Sequence, residues 1–284
     1  NCGLNSKSYT DGDYVLLNYL ENLRLDMERQ QKGKLILLIG NHELMDVNGN
    51  FIDYVSKKDL VEIPYPNSIG LDSDDMQRLK LDPIQTRLDL FKPGNKLAVF
   101  LAKTRLSAAI IGDFLFVHGG IENPEDYNRI ILNNFNKQVT EYLLGNNLDY
   151  LFFSNLMTIK SIFWNRTLGL LKSNIPETNK YCSNYISNLL SNLKVNHIVI
   201  GHTPNKEGVS FTCGKHIIRI DAANSKGFQT NRGNIQCIEI LDNSAIYIIT
   251  VCHKQNIPQR IYPRLGGSLF IHNITTHKTP WKPN

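Results

Sequence analysis

The 284-residue sequence lacks the features that mark several protein classes. Its five Cys residues are scattered and form no CxxC pair, so they indicate neither a zinc ribbon nor a disulfide framework. No apolar run reaches the roughly 18 residues that a membrane-spanning helix needs. No dense basic run with interleaved aromatic residues occurs, so nucleic-acid binding has little support despite a net charge of +5. Cysteine usage of this kind fits a reducing compartment, and we expect a cytoplasmic protein.

What remains is the composition of an ordinary globular protein. Hydrophobic residues make up 42% and charged residues 20%, and the length allows one large α/β domain or two smaller ones. We expect one domain over residues 1–252 and a C-terminal extension over residues 253–284, where Pro, Lys, His and Gly occur without periodicity. Residues 1–3 are neither an initiator methionine nor the start of a signal peptide, so we expect them to follow further sequence in a longer chain.

Three apolar segments each run directly into a short motif that contains glycine and histidine. These are residues 34–39 before Gly-Asn-His-Glu at 40–43, residues 114–117 before His-Gly-Gly at 118–120, and residues 197–200 before Gly-His-Thr-Pro at 201–204. A run that is apolar on both faces is typical of a buried central strand. Because α/β sheets bind ligands beyond the carboxyl ends of their strands, we expect the three motifs to converge on one site.

Apolar residues that recur every three or four positions predict two amphipathic helices, over residues 13–31 and 125–144. The recurring residues are Leu16, Leu20, Leu23 and Met27 in the first helix, and Ile131, Phe135, Val139 and Leu143 in the second.

The other segments carry weaker patterns. Residues 48–96 are rich in Asp, Pro and Asn, and we interpret them as a long excursion over the surface. Three β-rich pieces, at 217–220, 235–240 and 245–251, are typical of a closing antiparallel sheet.

The residue types in the three motifs suit a metal site. Imidazole nitrogens and asparagine oxygens are ligands of transition metals, and two such ions close together acidify a water molecule and clamp phosphate oxygens. Each motif also has a plain alternative. Asn41 could cap a helix with His42 exposed beside it, and the other two histidines could be structural residues of turns.

Together the motifs resemble those of the calcineurin-like metallophosphoesterases, and among them the Shewanella-like or bacterial-type phosphoprotein phosphatases. The similarity extends over about residues 35–240. Beyond the three motifs it includes RLDLFKPG at 87–94, IGDFLFVHGG at 111–120, WNR at 164–166 and IRID at 218–221. The resemblance implies an α/β fold, a metallophosphoesterase sandwich of two mixed β-sheets flanked by helices.

The resemblance also implies a role for each residue at a matching position. The implied roles are metal ligands for Asn41, His118 and His202, general acid for His42, phosphate-binding residue for Arg166, and supporting residues for Glu43 and Asp221. A general acid is needed because an alkoxide is a poor leaving group. A guanidinium fork suits two phosphate oxygens.

Two earlier motifs of the family, an Asp-x-His and a GDxxDRG, do not occur in residues 1–40. In the family they supply the remaining ligands of the first metal, the carboxylate that bridges the two ions, and a second phosphate-binding arginine. The helix predicted over residues 13–31 matches the element that follows GDxxDRG. We therefore expect the first β-α-β portion immediately before Asn1. We also expect residues 1–284 by themselves to hold at most one metal weakly and to have negligible phosphatase activity.

The function that the resemblance implies is metal-dependent hydrolysis of a phosphomonoester by a metal-activated hydroxide, foremost on phospho-Ser/Thr or phospho-Tyr in proteins. In the complete protein the cofactors would be two divalent metal ions, Mn, Fe or Zn. The partner would be a phosphorylated protein or a small phosphoester, with no nucleic acid and no membrane span. Two alternatives stay open: a nucleotide or dinucleoside-polyphosphate phosphoesterase, and a catalytically inactive module that binds phosphoproteins.

Overall fold

The computed structural model describes residues 13–55, 60, 68–123, 125, 127–224, 234–243, 245–253 and 274–280. The chain divides into two compact units, and each is described by itself. The helical unit comprises the described residues within 13–109 and 117–165, and the sheet unit comprises the described residues within 110–116 and 166–280.

In chain order, the secondary-structure elements are α1 (Asp13–Gln30), β1 (Leu37–Leu38), α2 (Asn41–Asn48), α3 (Ser73–Leu81), α4 (Pro83–Phe91), α5 (Lys96–Thr104), β2 (Arg105–Leu106), β3 (Ala108–Ile111), β4 (Phe114–Val117), α6 (Arg129–Leu143), α7 (Tyr150–Leu156), a π-helix (Tyr181–Ile186), α8 (Ser187–Leu193), β5 (His197–Ile200), β6 (Ser210–Thr212), β7 (Ile217–Arg219), β8 (Asn234–Leu241), β9 (Ala245–His253) and β10 (Ile274–Pro280).

The first helix is confirmed, but its buried face differs from its apolar stripe. Tyr14, Asn18 and Glu21 are buried, whereas Leu16 is 57% exposed and Leu23 is 36% exposed. Polar contacts account for this face. The Asn18 side chain accepts a hydrogen bond from the backbone of a later segment, and Glu21 pairs with an arginine one turn along the helix. The spacing of apolar residues therefore predicted the position of this helix but not which of its faces is buried.

Helices α3 and α4 occupy part of residues 48–96, so the prediction of a surface excursion was wrong there. Each helix begins at an aspartate whose side chain accepts a backbone N–H of the first turn. Asp72 accepts from Asp75 at 2.9 Å, and Asp82 accepts from Gln85 at 3.1 Å. Pro83 lies in the first turn of α4, where its missing N–H leaves no bond unmade. Asp72, Asp82 and Pro83, which contributed to the loop-like composition of this segment, are therefore the residues that begin two helices.

The strand predicted over residues 34–39 is much shorter than expected. Only Leu37–Leu38 are in β1, which pairs in parallel with β2 in a two-stranded sheet. Both residues are half-buried, so β1 is not the buried central strand of the prediction. The Ile39 N–H donates to the Leu106 carbonyl at 2.8 Å, and this contact continues the pairing up to Gly40.

A five-stranded mixed sheet follows the order β3-β4-β5-β7-β6. Strand β5 pairs in parallel with β7, and β6 pairs antiparallel with β7. The strands predicted at 114–117 and 197–200 are confirmed as β4 and β5. Strand β7 was predicted in the closing antiparallel sheet and lies instead in this one, because it pairs with β5.

A second sheet, in the order β10-β9-β8, is antiparallel throughout its described pairs. Apolar side chains of the two sheets form one core cluster, which includes Phe114, Val199, Phe211, Ile218 and Ile246. The predicted fold class, α/β with mixed sheets and flanking helices, is confirmed. Residues 274–280 of the predicted C-terminal extension form a strand against β9, while residues 254–273 and 281–284 lie outside the described residues. The domain boundary at residue 253 stays a prediction.

Cys182 and Cys213 are joined by a disulfide, although no disulfide was predicted. Their Cα atoms lie 5.3 Å apart, within the range that a disulfide spans. The two cysteines are separated by 31 residues, and only the fold brings them together. The cytoplasmic location was expected because the cysteines suggested a reducing compartment, and the disulfide removes that argument. The location stays a prediction. In the part of the chain that the structure describes, no helix is both long and apolar enough to cross a membrane.

Candidate active site

Asn41 and His118 come together in the helical unit at the end of β1 and β4. Asn41 begins α2, and its side-chain Oδ1 lies 2.7 Å from Nε2 of His118. Asn41 is 3% exposed, so the contact is made inside the unit. The two side chains are within hydrogen-bond distance of each other, and two ligands of one metal ion must also be neighbours. An amide oxygen and an imidazole nitrogen both suit Mn, Fe or Zn. The pair fits part of a metal site, and its role as ligands stays a prediction.

The turn before α2 has glycine because His118 and Glu43 crowd it. Oε2 of Glu43 accepts a hydrogen bond from the Gly40 N–H at 2.7 Å and closes the turn. A Cβ on Gly40 would lie 2.9 Å from Cε1 of His118 and 3.0 Å from Oε2 of Glu43. Glu43 therefore closes the turn that precedes Asn41, and its role as a supporting residue stays a prediction.

Replacing Gly40 with alanine tests whether this crowding matters to metal binding. Its φ of −105° is ordinary for alanine, so the substitution adds a methyl group without backbone strain. The methyl group displaces His118, and we expect the affinity for Mn²⁺ to fall by about 10-fold or more. The measurement is a calorimetric titration of the metal-free protein.

Gly70→Ala is the control for a destabilising glycine substitution away from the site. A Cβ there meets nothing within 4 Å, but φ is +81°, so alanine costs about 1–2 kcal/mol of stability. We expect Gly70→Ala to lose stability and keep its metal affinity. An unchanged affinity in Gly40→Ala would contradict the placement of His118 at the metal.

The glycine after His118 allows two backbones to pack closely. The Gly119 N–H donates to the Ile162 carbonyl at 2.7 Å. A Cβ on Gly119 would lie 2.8 Å from that carbonyl oxygen and 2.9 Å from the carbonyl oxygen of Asn165. The loop that carries His118 is thus held against residues 162–165, which lead directly into Arg166.

His42 is the exposed member of the helical-unit cluster. Its ring makes an edge contact with Tyr54, with ring centroids 5.4 Å apart. His42 also lines a cavity of about 170 Å³, together with Glu43, Asp46 and Arg87. The imidazole of His42 is exposed, and its role as general acid stays a prediction.

Arg166 and His202 come together in the sheet unit. Nη1 of Arg166 donates to the backbone carbonyl of His202 at 2.6 Å. His202 has a φ of +61°, in the left-handed region that few residues other than glycine adopt, at a cost of about 1–3 kcal/mol. Backbone strain of this kind is concentrated at functional sites. Asp221 is tied to the same turn, since its carbonyl accepts the Asn205 N–H at 2.8 Å.

Arg219 is a residue of this site that sequence reasoning missed. It is 5% exposed and donates to the Gly169 carbonyl at 3.1 Å, to the Leu171 carbonyl, and to the Ser173 hydroxyl at 2.6 Å. These bonds hold the loop that follows Arg166. The signal in the sequence was an arginine inside the apolar run at 217–220, because a buried charge needs several partners.

The predicted site residues therefore form two groups. The helical unit brings together Asn41, His42, Glu43 and His118, and the sheet unit brings together Arg166, His202 and Asp221. Convergence of Asn41 and His118 with His202 stays a prediction. Over the described residues, no group of three or more His, Cys, Asp or Glu side chains lies together as a metal site. The predicted ligand set has two histidines and one asparagine.

Known proteins match this chain over most of its length. A family model described as calcineurin-like phosphoesterase matches residues 9–206. An uncharacterised protein of Acanthamoeba polyphaga mimivirus is 32% identical over 245 residues, which cover 77% of this chain and 92% of that protein. Shewanella-like protein phosphatase 2 of Arabidopsis thaliana is 26% identical over 276 residues, which cover 87% of this chain and 68% of that protein.

Solved structures show a similar fold. A mutant cold-active protein tyrosine phosphatase matches with a TM-score of 0.57 at 21% identity. The cold-active protein-tyrosine phosphatase of a psychrophilic Shewanella species matches with a TM-score of 0.52, also at 21% identity. Each match covers 82% of this chain, and the chain spans 61% of each solved protein.

Proposed function

This chain belongs to the calcineurin-like phosphoesterase family, and from that membership we propose that it is a metal-dependent phosphoprotein phosphatase. The observation that carries the proposal is the 2.7 Å contact between Asn41 and His118, with His42 next along the chain. The names of its relatives support it, since one is called a protein phosphatase and two solved structures are called protein tyrosine phosphatases.

In the helical unit, metal binding and proton transfer would be the tasks of different residues. Metallophosphoesterases use divalent metal ions, and Asn41 and His118 would hold one, which we propose to be Mn, Fe or Zn. Such an ion supplies positive charge to the phosphate oxygens and lowers the pKa of the attacking water. His42 would give its proton to the leaving oxygen, a role that suits its exposure beside the pair.

Arg166 would bind the substrate phosphate. A guanidinium has five N–H donors, so the bond to the His202 carbonyl leaves others for two phosphate oxygens. That bond also restricts the side chain before substrate arrives. Binding then costs less conformational entropy than it would with an unrestrained arginine.

The test uses the protein expressed from its complete reading frame, stripped of metal and reconstituted with Mn²⁺. We expect phosphate release from phosphoserine, phosphothreonine or phosphotyrosine peptides that exceeds release from ATP or diadenosine tetraphosphate. EDTA should abolish it. Loss of a residue that only supports a metal ligand typically lowers metal affinity by about 10–100-fold. His118→Ala should lower it by more, because His118 is proposed as a ligand itself. Release from the nucleotides alone, or full activity in His118→Ala, would refute the proposal.

A further inference from the structure

Arg87 is the least exposed charged side chain among the described residues, at 1% exposed. Its guanidinium forms a bidentate pair with Asp46, with Nε 2.7 Å from Oδ1 and Nη2 2.8 Å from Oδ2. Nη2 also donates to Asp13 at 2.8 Å. Asp13 lies on α1, Asp46 on α2 and Arg87 on α4, so one side chain ties three helices together.

Three aromatic rings enclose this guanidinium. Its central carbon lies 5.2 Å from the ring centroid of Tyr14 and 5.1 Å from those of Phe51 and Phe91. The rings attract the cation and exclude water, which strengthens the hydrogen bonds to Asp46. Burial raises the pKa of Asp46 to about 6, and the bonds from Arg87 oppose the rise. At neutral pH the pair is therefore ionised and held in one geometry.

The ion pair of Arg87 and Asp46 holds helix α2, which carries the candidate site residues. Helix α2 spans only Asn41–Asn48, with Asn41 and His42 at its start and Asp46 in its last turn. A helix this short has little stability of its own, so its orientation depends on tertiary contacts. Arg87, Asp46 and His42 line the same cavity of about 170 Å³. A shift of Asp46 would therefore be transmitted along α2 to His42.

We propose that Arg87 is a positioning residue, which orients α2 through Asp46 and thereby places His42. The inference rests on the proposed function, in which His42 protonates the leaving oxygen. Lysine cannot reproduce a bidentate, planar contact, so Arg87→Lys keeps the charge and loses the geometry. Asp46→Asn keeps the size and one acceptor oxygen and loses the second charge-assisted bond.

The test compares two leaving groups in the Mn²⁺-loaded protein from the complete reading frame. Phenyl phosphate has a poor leaving group and p-nitrophenyl phosphate a good one. In Arg87→Lys and in Asp46→Asn we expect kcat for phenyl phosphate to fall by about 10²-fold, because a displacement of about 1 Å has this effect. We expect kcat for p-nitrophenyl phosphate to fall by less than about 3-fold, since nitrophenolate needs little protonation. KM should change little for either substrate.

A second readout does not depend on activity. The ring signals of His42 in a ¹H–¹⁵N spectrum of the metal-free protein should move in both variants. Only variants with a complete unfolding transition are compared. If Arg87→Lys does not fold, Asp46→Asn, the milder change, decides the matter.

Two variants serve as matched controls. Arg78 pairs with Asp89 at 2.7 Å with both side chains about half exposed, and this pair joins α3 to α4. Arg78→Lys should leave both rates and the His42 signals unchanged. Asp13→Asn removes the contact of Arg87 to α1 and leaves the pair on α2, so the ratio of the two rates should stay as in the parent protein.

The outcomes separate this inference from the proposed function. Equal losses for the two substrates with unmoved His42 signals, in folded variants, would overturn the positioning role. A parent protein that hydrolyses neither of these esters nor a phosphopeptide would refute the proposed function instead. The His42 signals would then still decide whether Arg87 orients α2.

Discussion

Replacing His42 with asparagine should lower kcat for a phosphopeptide by about 10²–10⁴-fold. The leaving serine or threonine oxygen would depart as an alkoxide unless it were protonated, and asparagine has no acidic proton to give. The metal content should stay nearly unchanged, because the pair that would hold the ion is Asn41 Oδ1 and His118 Nε2. Steady-state kinetics and elemental analysis of the same preparations measure both quantities.

The leaving group discriminates proton transfer from a general disturbance of the site. With p-nitrophenyl phosphate the loss in His42→Asn should be much smaller than with the phosphopeptide. His216→Asn is the matched control, since His216 is a partly buried histidine that pairs with Glu177 in the sheet unit. It should leave both rates unchanged. Equal losses for the two substrates in His42→Asn would rule out the general-acid role.

Arg87→Met should lower the free energy of unfolding by about 3–5 kcal/mol, because it leaves the carboxylate of Asp46 buried without its partner. Domains have total stabilities of about 5–15 kcal/mol, so this single change could unfold a large share of the molecules. Urea unfolding followed by circular dichroism measures the loss. The double variant Arg87→Met/Asp46→Leu should recover part of it, since apolar replacement of a buried pair is often nearly neutral.

The control for this stability effect is the half-exposed pair of Arg78 and Asp89. Its side chains are 42% and 43% exposed, so water screens them, and Arg78→Met should cost less than about 1 kcal/mol. A loss in Arg87→Met no larger than the loss in Arg78→Met would show that the buried pair contributes little. Failure of the double variant to recover stability would show that the loss comes from packing rather than from an unpaired charge.

Patterns of nearby residues in the sequence correctly predicted those helices and strands that are determined mainly by their own local sequence. Helix α1 and strands β4 and β5 were found from periodicity and from continuous apolar runs. The same patterns failed at α3 and α4, where Asp72, Asp82 and Pro83 gave a loop-like composition to two capped helices. The capping residues were visible in the sequence. The prediction was wrong because it used the overall content of Asp and Pro and did not consider where these residues stand relative to a helix start.

By itself, the sequence determined the residue types after its apolar strands, and through them the family of the protein. Those residues were recognisable because each motif is contiguous with its strand. Tertiary structure alone decided the contacts: Asn41 meets His118 from 77 positions away, Arg87 meets Asp46 from 41, and Cys182 bonds Cys213 from 31. No local pattern encodes such pairs, because each depends on the packing of whole helices and strands. In the sequence Arg87 is the first residue of the RLDLFKPG segment, and its contacts become visible only when the three rings and the carboxylates are placed around it.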